Sequence, residues 1–283
     1  MYSFILLLFL LIFILSKPYN IRNSIKKCRY QNIILKLYNN DNDDNSYKSP
    51  LSQKWYRDRQ RKISPNLKKI YNTYWSKYGV DLEYGIKINI DKNIYTILDI
   101  GFGTGESIIG MFKQSQDISI IGIEIYRAGI AAAIKQLIEL EEITKNTENK
   151  IKFVRRDVTH FMEYIDDDTL NEICVFFPDP WLNEERDIGK RVIRNNMLEI
   201  FIKKLKPNGL LRISTDVENY ATYINSTINS YNNNFKLVNY AEHTAGFIFN
   251  NTRSKIYRPI TKYERIAFNE TRNIHEFEYR LEK

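Results

Sequence analysis

Residues 97–107 read ILDIGFGTGES. Strand formers lead into Asp99, then Gly101, Gly103 and Gly105 follow at every second position, and Glu106–Lys113 has helical character. Glycines at a strand-to-helix switch let the backbone turn tightly and approach a ligand closely. Working outward, the pattern alternates. Ile94–Ile100, Ser119–Ile125, Lys152–Arg155, Glu172–Phe177 and Leu210–Ser214 read as strands. Glu106–Lys113, Ala128–Ile143, Arg194–Leu205 and Val217–Ile228 read as helices, the third closed by the stop signal Lys206–Pro207–Asn208–Gly209. Strands alternating with helices of this length predict a parallel sheet wrapped by helices, an α/β fold.

The chain has 283 residues and a formal charge of +8. Residues 1–90 hold 16 Lys/Arg against 6 Asp/Glu, so the excess lies entirely in the N-terminal third. That distribution suits a targeting segment, an anionic partner such as RNA, or both. The run Phe4–Leu15 is uninterrupted apolar sequence. As a helix its twelve residues rise only ~18 Å, short of a ~30 Å hydrocarbon core, which fits the core of a signal peptide. Residues 17–40 then carry six Lys/Arg and no acid. A signal-like core followed by an acid-free basic stretch resembles the bipartite leader of proteins routed to a complex, apicoplast-like plastid. A short membrane anchor or plain secretion is the plainer alternative. The expected organisation is a leader over 1–45, a basic arm over 46–90 and a catalytic domain over 91–283.

Cys28 and Cys174 form no disulfide framework, and His160, His243 and His275 show no ligand spacing. No metal is therefore expected. The informative charges are acids. Asp99 precedes the glycines, where a carboxylate would repel a pyrophosphate and attract a ligand bearing an ammonium group, such as S-adenosylmethionine. Glu124 follows 25 residues later at the end of the second strand, where an acid hydrogen-bonds ribose hydroxyls. Asp157 ends the third strand and is placed to accept from an adenine amino group. Singly each reads as a surface carboxylate; three at the ends of consecutive strands read as a site. A fourth acid stands in FFPDPW (176–181), where Pro178 and Pro180 stiffen a turn that holds Asp179 beside Trp181.

LDIGFGTGES, GIEIYRAG, FFPDPW and RPITKYERI, in this order, together resemble the bacterial-type tRNA (guanine-N7-)-methyltransferases. The segment 57–80 resembles their N-terminal arm, and the likeness runs from about Trp55 to the C-terminus. The resemblance implies the Rossmann-like fold of class I methyltransferases, a mostly parallel seven-stranded sheet with helices on both faces. It implies S-adenosyl-L-methionine as cofactor, held by Asp99, Gly101, Phe102, Gly103, Glu124, Asp157, Val158 and Asp179. Asp179 falls on the family's active-site acid. Asn183, Asp216, Thr261, Lys262, Tyr263 and Glu264 fall on its substrate-binding positions. The implied partner is tRNA, modified at position 46 of the variable loop. A monomer or homodimer is expected, with no stable membrane span in the mature protein.

One departure stands out. A basic residue usually follows Pro-Asp-Pro-Trp closely, whereas Leu182–Asn183–Glu184–Glu185 intervenes here and Asn183 takes the place of a lysine. Phosphate contacts are expected from Arg57, Arg59, Arg61 and Lys62 in the arm, and from Lys190, Arg191 and Arg194. Tyr71, Tyr74, Trp75 and Tyr78 read as packing for a short helix rather than as base-stacking rings. Two functions compete. An exocyclic-amine methyltransferase of the same fold would carry Asp/Asn-Pro-Pro-Tyr at the fourth strand, which this chain lacks. A non-catalytic tRNA-binding protein with a relict cofactor site would fail to bind S-adenosylmethionine. A nicotinamide oxidoreductase is disfavoured by Asp99.

Overall fold

A computed structural model describes residues 63–144, 147–181, 189–243 and 260–283. Seven strands form one sheet: β1 (Tyr95–Ile100), β2 (Ile118–Glu124), β3 (Ile151–Arg155), β4 (Leu170–Phe176), β5 (Leu205–Thr215), β6 (Phe235–His243) and β7 (Ile274–Leu281). Their order is β3-β2-β1-β4-β5-β7-β6. The first five strands pair in parallel, and β7 is antiparallel to both β5 and β6. The chain steps from β1 outward to β3, then crosses back to β4. The order therefore reverses between β1 and β4, and a crevice opens there at the carboxyl ends of the strands.

Helices cover both faces because the central strands are apolar on both. On one face α1 (Pro65–Tyr78), α2 (Glu106–Gln114) and α3 (Arg127–Glu141) pack on Ile97, Ile120, Phe153 and Phe176. On the other, α5 (Val158–Phe161), α6 (Asn195–Lys204) and α7 (Glu218–Asn229) cover Leu98, Ile123, Val175, Ile213 and Phe277. A single turn, α4 (Thr147–Lys150), precedes β3, and α8 (Lys262–Asn269) precedes β7. The segment read as a basic arm contributes α1 to the first core. Ser64 caps it by accepting from the Leu67 N–H, and Pro65 opens it. Tyr71 and Tyr78 are buried there, Trp75 stacks on Tyr71, and the Trp75 indole N–H donates to Asp81.

Two readings differ from the structure. The Lys206–Pro207–Asn208–Gly209 stop does not lie outside the elements it separates. α6 ends at Lys204 and β5 begins at once at Leu205, so the four residues form a bulge, with the register jumping between Leu170↔Leu205 and Glu172↔Leu210. Asn208 takes φ 64°, which its short polar side chain tolerates. The last two strands and α8 carry no element assignment in the sequence reading. In β7, His275, Phe277, Tyr279 and Leu281 alternate with Glu276, Glu278 and Arg280, a period-2 signal with a histidine on its buried face and acids on the other. Those acids are tolerated because Glu278 meets Arg212 on β5, whose guanidinium also holds Glu172 on β4 at 2.8 Å.

Candidate active site

Five acids stand at or just beyond the carboxyl ends of the five parallel strands: Asp99, Glu124, Asp157, Asp179 and Asp216. The glycine loop between β1 and α2 is their centre. Gly101, Gly103 and Gly105 have φ of 72°, 60° and 87°, a region that favours glycine. A Cβ on Gly101 or Gly103 would meet no atom within 4 Å, so the backbone lines open space. The loop is fastened from below. Gly101 N–H donates to Ile123 O, and Gly103 N–H donates to Glu124 Oε2 at 3.0 Å. Glu124 Oε1 accepts from the N–H groups of Ile125 and Tyr126. Gly129 in α3 packs so closely on the loop that a Cβ there would lie 2.4 Å from Gly103 O. Phe102 turns inward onto Phe153, with ring centroids 5.0 Å apart.

Asp99 is 1% exposed. Its Oδ2 accepts from the Ser107 hydroxyl, and its Oδ1 has no hydrogen-bond partner among the described residues. Burial, opposed by the Ser107 bond and aided by the charges of Glu124 and Glu172, pushes its pKa up to about 7. Burial likewise raises Glu124, against the three backbone N–H groups that favour its ionised form, and the charge of Asp179 adds to the rise. An orphaned, reluctantly ionised carboxylate beside a glycine cradle fits a ligand that brings its own positive charge. Asp157 is the N-cap of α5, accepting from Thr159 N–H at 2.8 Å, and Val158 is the first helical residue. Thr159 N–H thus occupies Asp157 Oδ1 and leaves Oδ2 for a donor outside the helix.

β4 runs into Pro178–Asp179–Pro180, and the residues that bracket this turn are strained. Phe177 has φ 52° and Trp181 φ 44°, left-handed values that cost bulky residues on the order of 1 kcal/mol or more each. Three contacts hold the strained form. Phe177 N–H donates to Ser214 O on β5. Arg191 donates from Nε to Pro180 O at 2.9 Å and from Nη2 to Trp181 O at 2.9 Å. Its guanidinium lies over the rings of Tyr223 and Tyr220 on α7, 4.0 and 5.6 Å from their centroids. The Lys190 ammonium sits 4.9 Å from the centre of the Trp181 ring. Asp179 itself is exposed, at the switch between β1 and β4.

The structure brings Thr261–Glu264 to the same place. They begin α8 as a capping box, Thr261 Oγ1 accepting from Glu264 N–H and Glu264 accepting from Thr261 N–H. Glu264 is buried, while Tyr263 is exposed and stacks on Phe177 of the turn at 6.5 Å. Glu106, the first residue of α2, accepts from Lys262 N–H and from the Arg265 guanidinium. The glycine loop's helix and α8 are thereby tied together at their N-termini. Asp216 lies one strand further on and pairs with Arg272 at 2.9 Å.

Two expected phosphate contacts are corrected. Arg191 and Arg194 are buried, at 6% and 8% exposure, and cannot reach a backbone in solution. Arg191 clamps the turn. Arg194 donates to Arg191 O, Asn196 Oδ1 and Thr159 Oγ1, linking that clamp to α5. A basic residue reads as surface in one dimension, and only the packing of α7 reveals these two as internal. Glu106 was also missed, though an acid at a helix's first turn is a visible signal. Asn183, Arg57, Arg59, Arg61 and Lys62 lie outside the described residues.

Residues 93–277 match the family described as "Putative methyltransferase". The tRNA (guanine-N(7)-)-methyltransferase of Buchnera aphidicola subsp. Acyrthosiphon pisum (strain Tuc7) is 33% identical over 215 residues, which cover 74% of this chain and 83% of that protein. The tRNA (guanine-N(7)-)-methyltransferase of Colwellia psychrerythraea strain 34H is 28% identical over 214 residues, 73% of this chain and 80% of that protein. The solved structure of an antibiotic-related methyltransferase aligns with a TM-score of 0.43 and 16% identity, covering 71% of this chain and all of that one.

Proposed function

This chain belongs to the tRNA (guanine-N7-)-methyltransferase family, and from that premise we propose that it methylates N7 of a guanine in tRNA, at position 46 of the variable loop. The observation that carries the reading is the turn at the end of β4: an exposed acid between two strained residues, clamped by a buried arginine, beside a glycine cradle.

S-adenosylmethionine, when bound, supplies an electrophilic methyl group that the N7 lone pair takes without prior loss of a proton. No strong general base is required, and the roles left to this chain are binding, alignment and charge. The Asp99 carboxylate would receive the ligand's ammonium group, Glu124 and Asp157 would receive ribose and adenine donors, and Gly101 and Gly103 would allow close backbone approach, with Phe102 and Val158 next to them in the chain. Asp179 would border the methyl donor and the purine that becomes cationic, where a fixed carboxylate would stabilise the developing charge. Tyr263 offers an exposed ring beside that position, and the rigid turn sets the alignment that a displacement reaction needs. Lys262, Thr261 and Glu264 position it, and Asp216 and Asn183 complete the substrate side. The target base leaves its stack to reach this depth.

The segment 1–45 serves in this reading as a leader for a plastid, ahead of a basic arm that adds phosphate contacts. Among the described residues no helix is long and apolar enough to cross a membrane. The test is incubation with labelled S-adenosylmethionine and unmodified tRNA transcripts, followed by borohydride–aniline cleavage, which cuts at N7-methylguanosine. Label with a cut in the variable loop is the expected result. Label without a cut would place the methyl on another atom and overturn the assignment to N7.

A further inference from the structure

The histidines are scattered along the chain, but the fold gathers one of them with two acids. His275 on β7 pairs directly with Glu242 on β6 and with Thr215 on β5, so Glu242 and His275 project from one face. Glu218 opens α7 three residues after Thr215 and reaches the same point. One ligand atom from each of Glu218, Glu242 and His275 lies within 4.8 Å of the others.

The imidazole is 2% exposed. Its Nδ1 lies 3.0 Å from the Tyr240 hydroxyl, which also donates to Glu242 Oε2, and Asn273 donates to Glu242 Oε1. Where the Tyr240 hydroxyl gives its proton to Glu242 it accepts from Nδ1–H, and that tautomer leaves a lone pair on Nε2. That nitrogen is buried with no hydrogen-bond partner among the described residues, and Glu218 Oε2 stands 2.9 Å away, an ion pair when the imidazole is protonated. Two lone-pair atoms at that separation repel unless a proton or a metal cation lies between them, and the spacing is also close to the bite of two ligands on one small metal ion.

We propose that Glu218, Glu242 and His275 form a binding site for a divalent transition-metal cation, of the class that takes one imidazole and two carboxylates, with zinc as its representative. Mixed nitrogen and oxygen donors favour such an ion over magnesium. The Tyr240 and Asn273 hydrogen bonds orient the ligands in the manner of an outer coordination shell. The site joins α7 to the β6–β7 pair beside Asp216 and Arg272. It would also neutralise two exposed carboxylates at the edge that, under the reading above, meets an RNA polyanion. The site itself does not depend on that reading.

The experiment is calorimetric titration of the chelator-stripped full chain with zinc chloride, alongside a Glu218→Gln/Glu242→Gln double variant. Cobalt substitution supplies a visible spectrum of the ligand field. Both glutamates are exposed, so the variant retains the fold, which circular dichroism checks. Saturable binding of one equivalent is expected, weakened more than about tenfold in the variant, with zinc raising the thermal midpoint of the wild type alone. Absence of saturable binding, or equal binding by the variant, overturns the proposal and leaves an imidazolium–carboxylate pair. Methyl transfer is not read out, so this failure is distinct from failure of the proposed activity.

Discussion

At the scale of single residues, two carboxylates in one crevice differ because their surroundings differ. Asp179 is exposed at the tip of a turn, so replacing it disturbs no core. Asp179→Ala is expected to cut single-turnover methyl transfer by about a hundredfold or more, with the thermal midpoint retained; near-normal turnover would remove the residue from the mechanism. Asp99 is the opposite case, buried with one oxygen unpartnered among the described residues and a pKa pushed up to about 7. Between the ordinary carboxylate value, 3.8, and about 7 the folded chain holds a proton that the unfolded chain has released. The sign follows: this group's contribution to stability falls as pH rises through that window and is level above it. A ligand bearing an ammonium group prefers the ionised form. Calorimetry between about pH 6 and about pH 8 should therefore show affinity for S-adenosylmethionine rising with pH and levelling off above the raised pKa. Asp99→Asn should bind weakly and without that slope, and a wild-type affinity independent of pH would contradict the role.

At the scale of elements, the catalytic turn is held by pieces far apart in sequence. Arg191 grips two of its carbonyls and is itself covered by Tyr220 and Tyr223 of α7. A lysine keeps the charge but not the planar fork. Arg191→Lys should relax Phe177 and Trp181 from their left-handed conformations and lower kcat by about tenfold, while cofactor affinity changes little, because a misplaced reacting geometry is costly even when contacts remain. Unchanged kcat would show the clamp to be incidental to alignment. The elements themselves were unequally legible. β1 and the glycine loop stand out because a strand, an acid and alternating glycines coincide in eleven residues. β7 did not, since its alternating pattern sets a histidine on the buried face and acids on the other, and Glu278 is held by Arg212 on a neighbouring strand. The site was read as a set of acids at strand ends, which topology preserves. The burial of Arg191 and Arg194 was hidden because charge type carries no information about which face a helix will cover.

At the scale of the whole molecule, one internal ion cluster ties the parallel and antiparallel halves of the sheet. Arg212 on β5 stands between Glu172 on β4 and Glu278 on β7, with the Tyr95 hydroxyl of β1 donating to Glu172. Burial alone would lower the Arg212 pKa, and the charges of Glu172 and Glu278 raise it. Arg212→Ala leaves buried Glu172 and half-buried Glu278 without their cation, which costs about 3–5 kcal/mol. In a domain of this size that corresponds to a fall of roughly 10 °C in the thermal midpoint, measurable by calorimetry, and a shift of only a degree or two would show that the cluster relaxes. The leader makes a separate prediction. Removal of residues 1–45 should leave methyl transfer in vitro intact, while a reporter carrying those residues should be routed to a plastid; loss of transfer would place part of the site in the leader.

By itself the sequence determined the alternation of strands and helices, the acids at their ends, the glycine loop and the proline-bracketed turn. Each of these is local, written in hydrophobic period or in residues whose backbone preferences are few. Tertiary structure alone decided which charges are internal, what holds a strained turn in place, and that Glu218, Glu242 and His275 meet. Those relations arise from strand register and from a crossover that joins segments tens of residues apart, and no spacing along the chain encodes them.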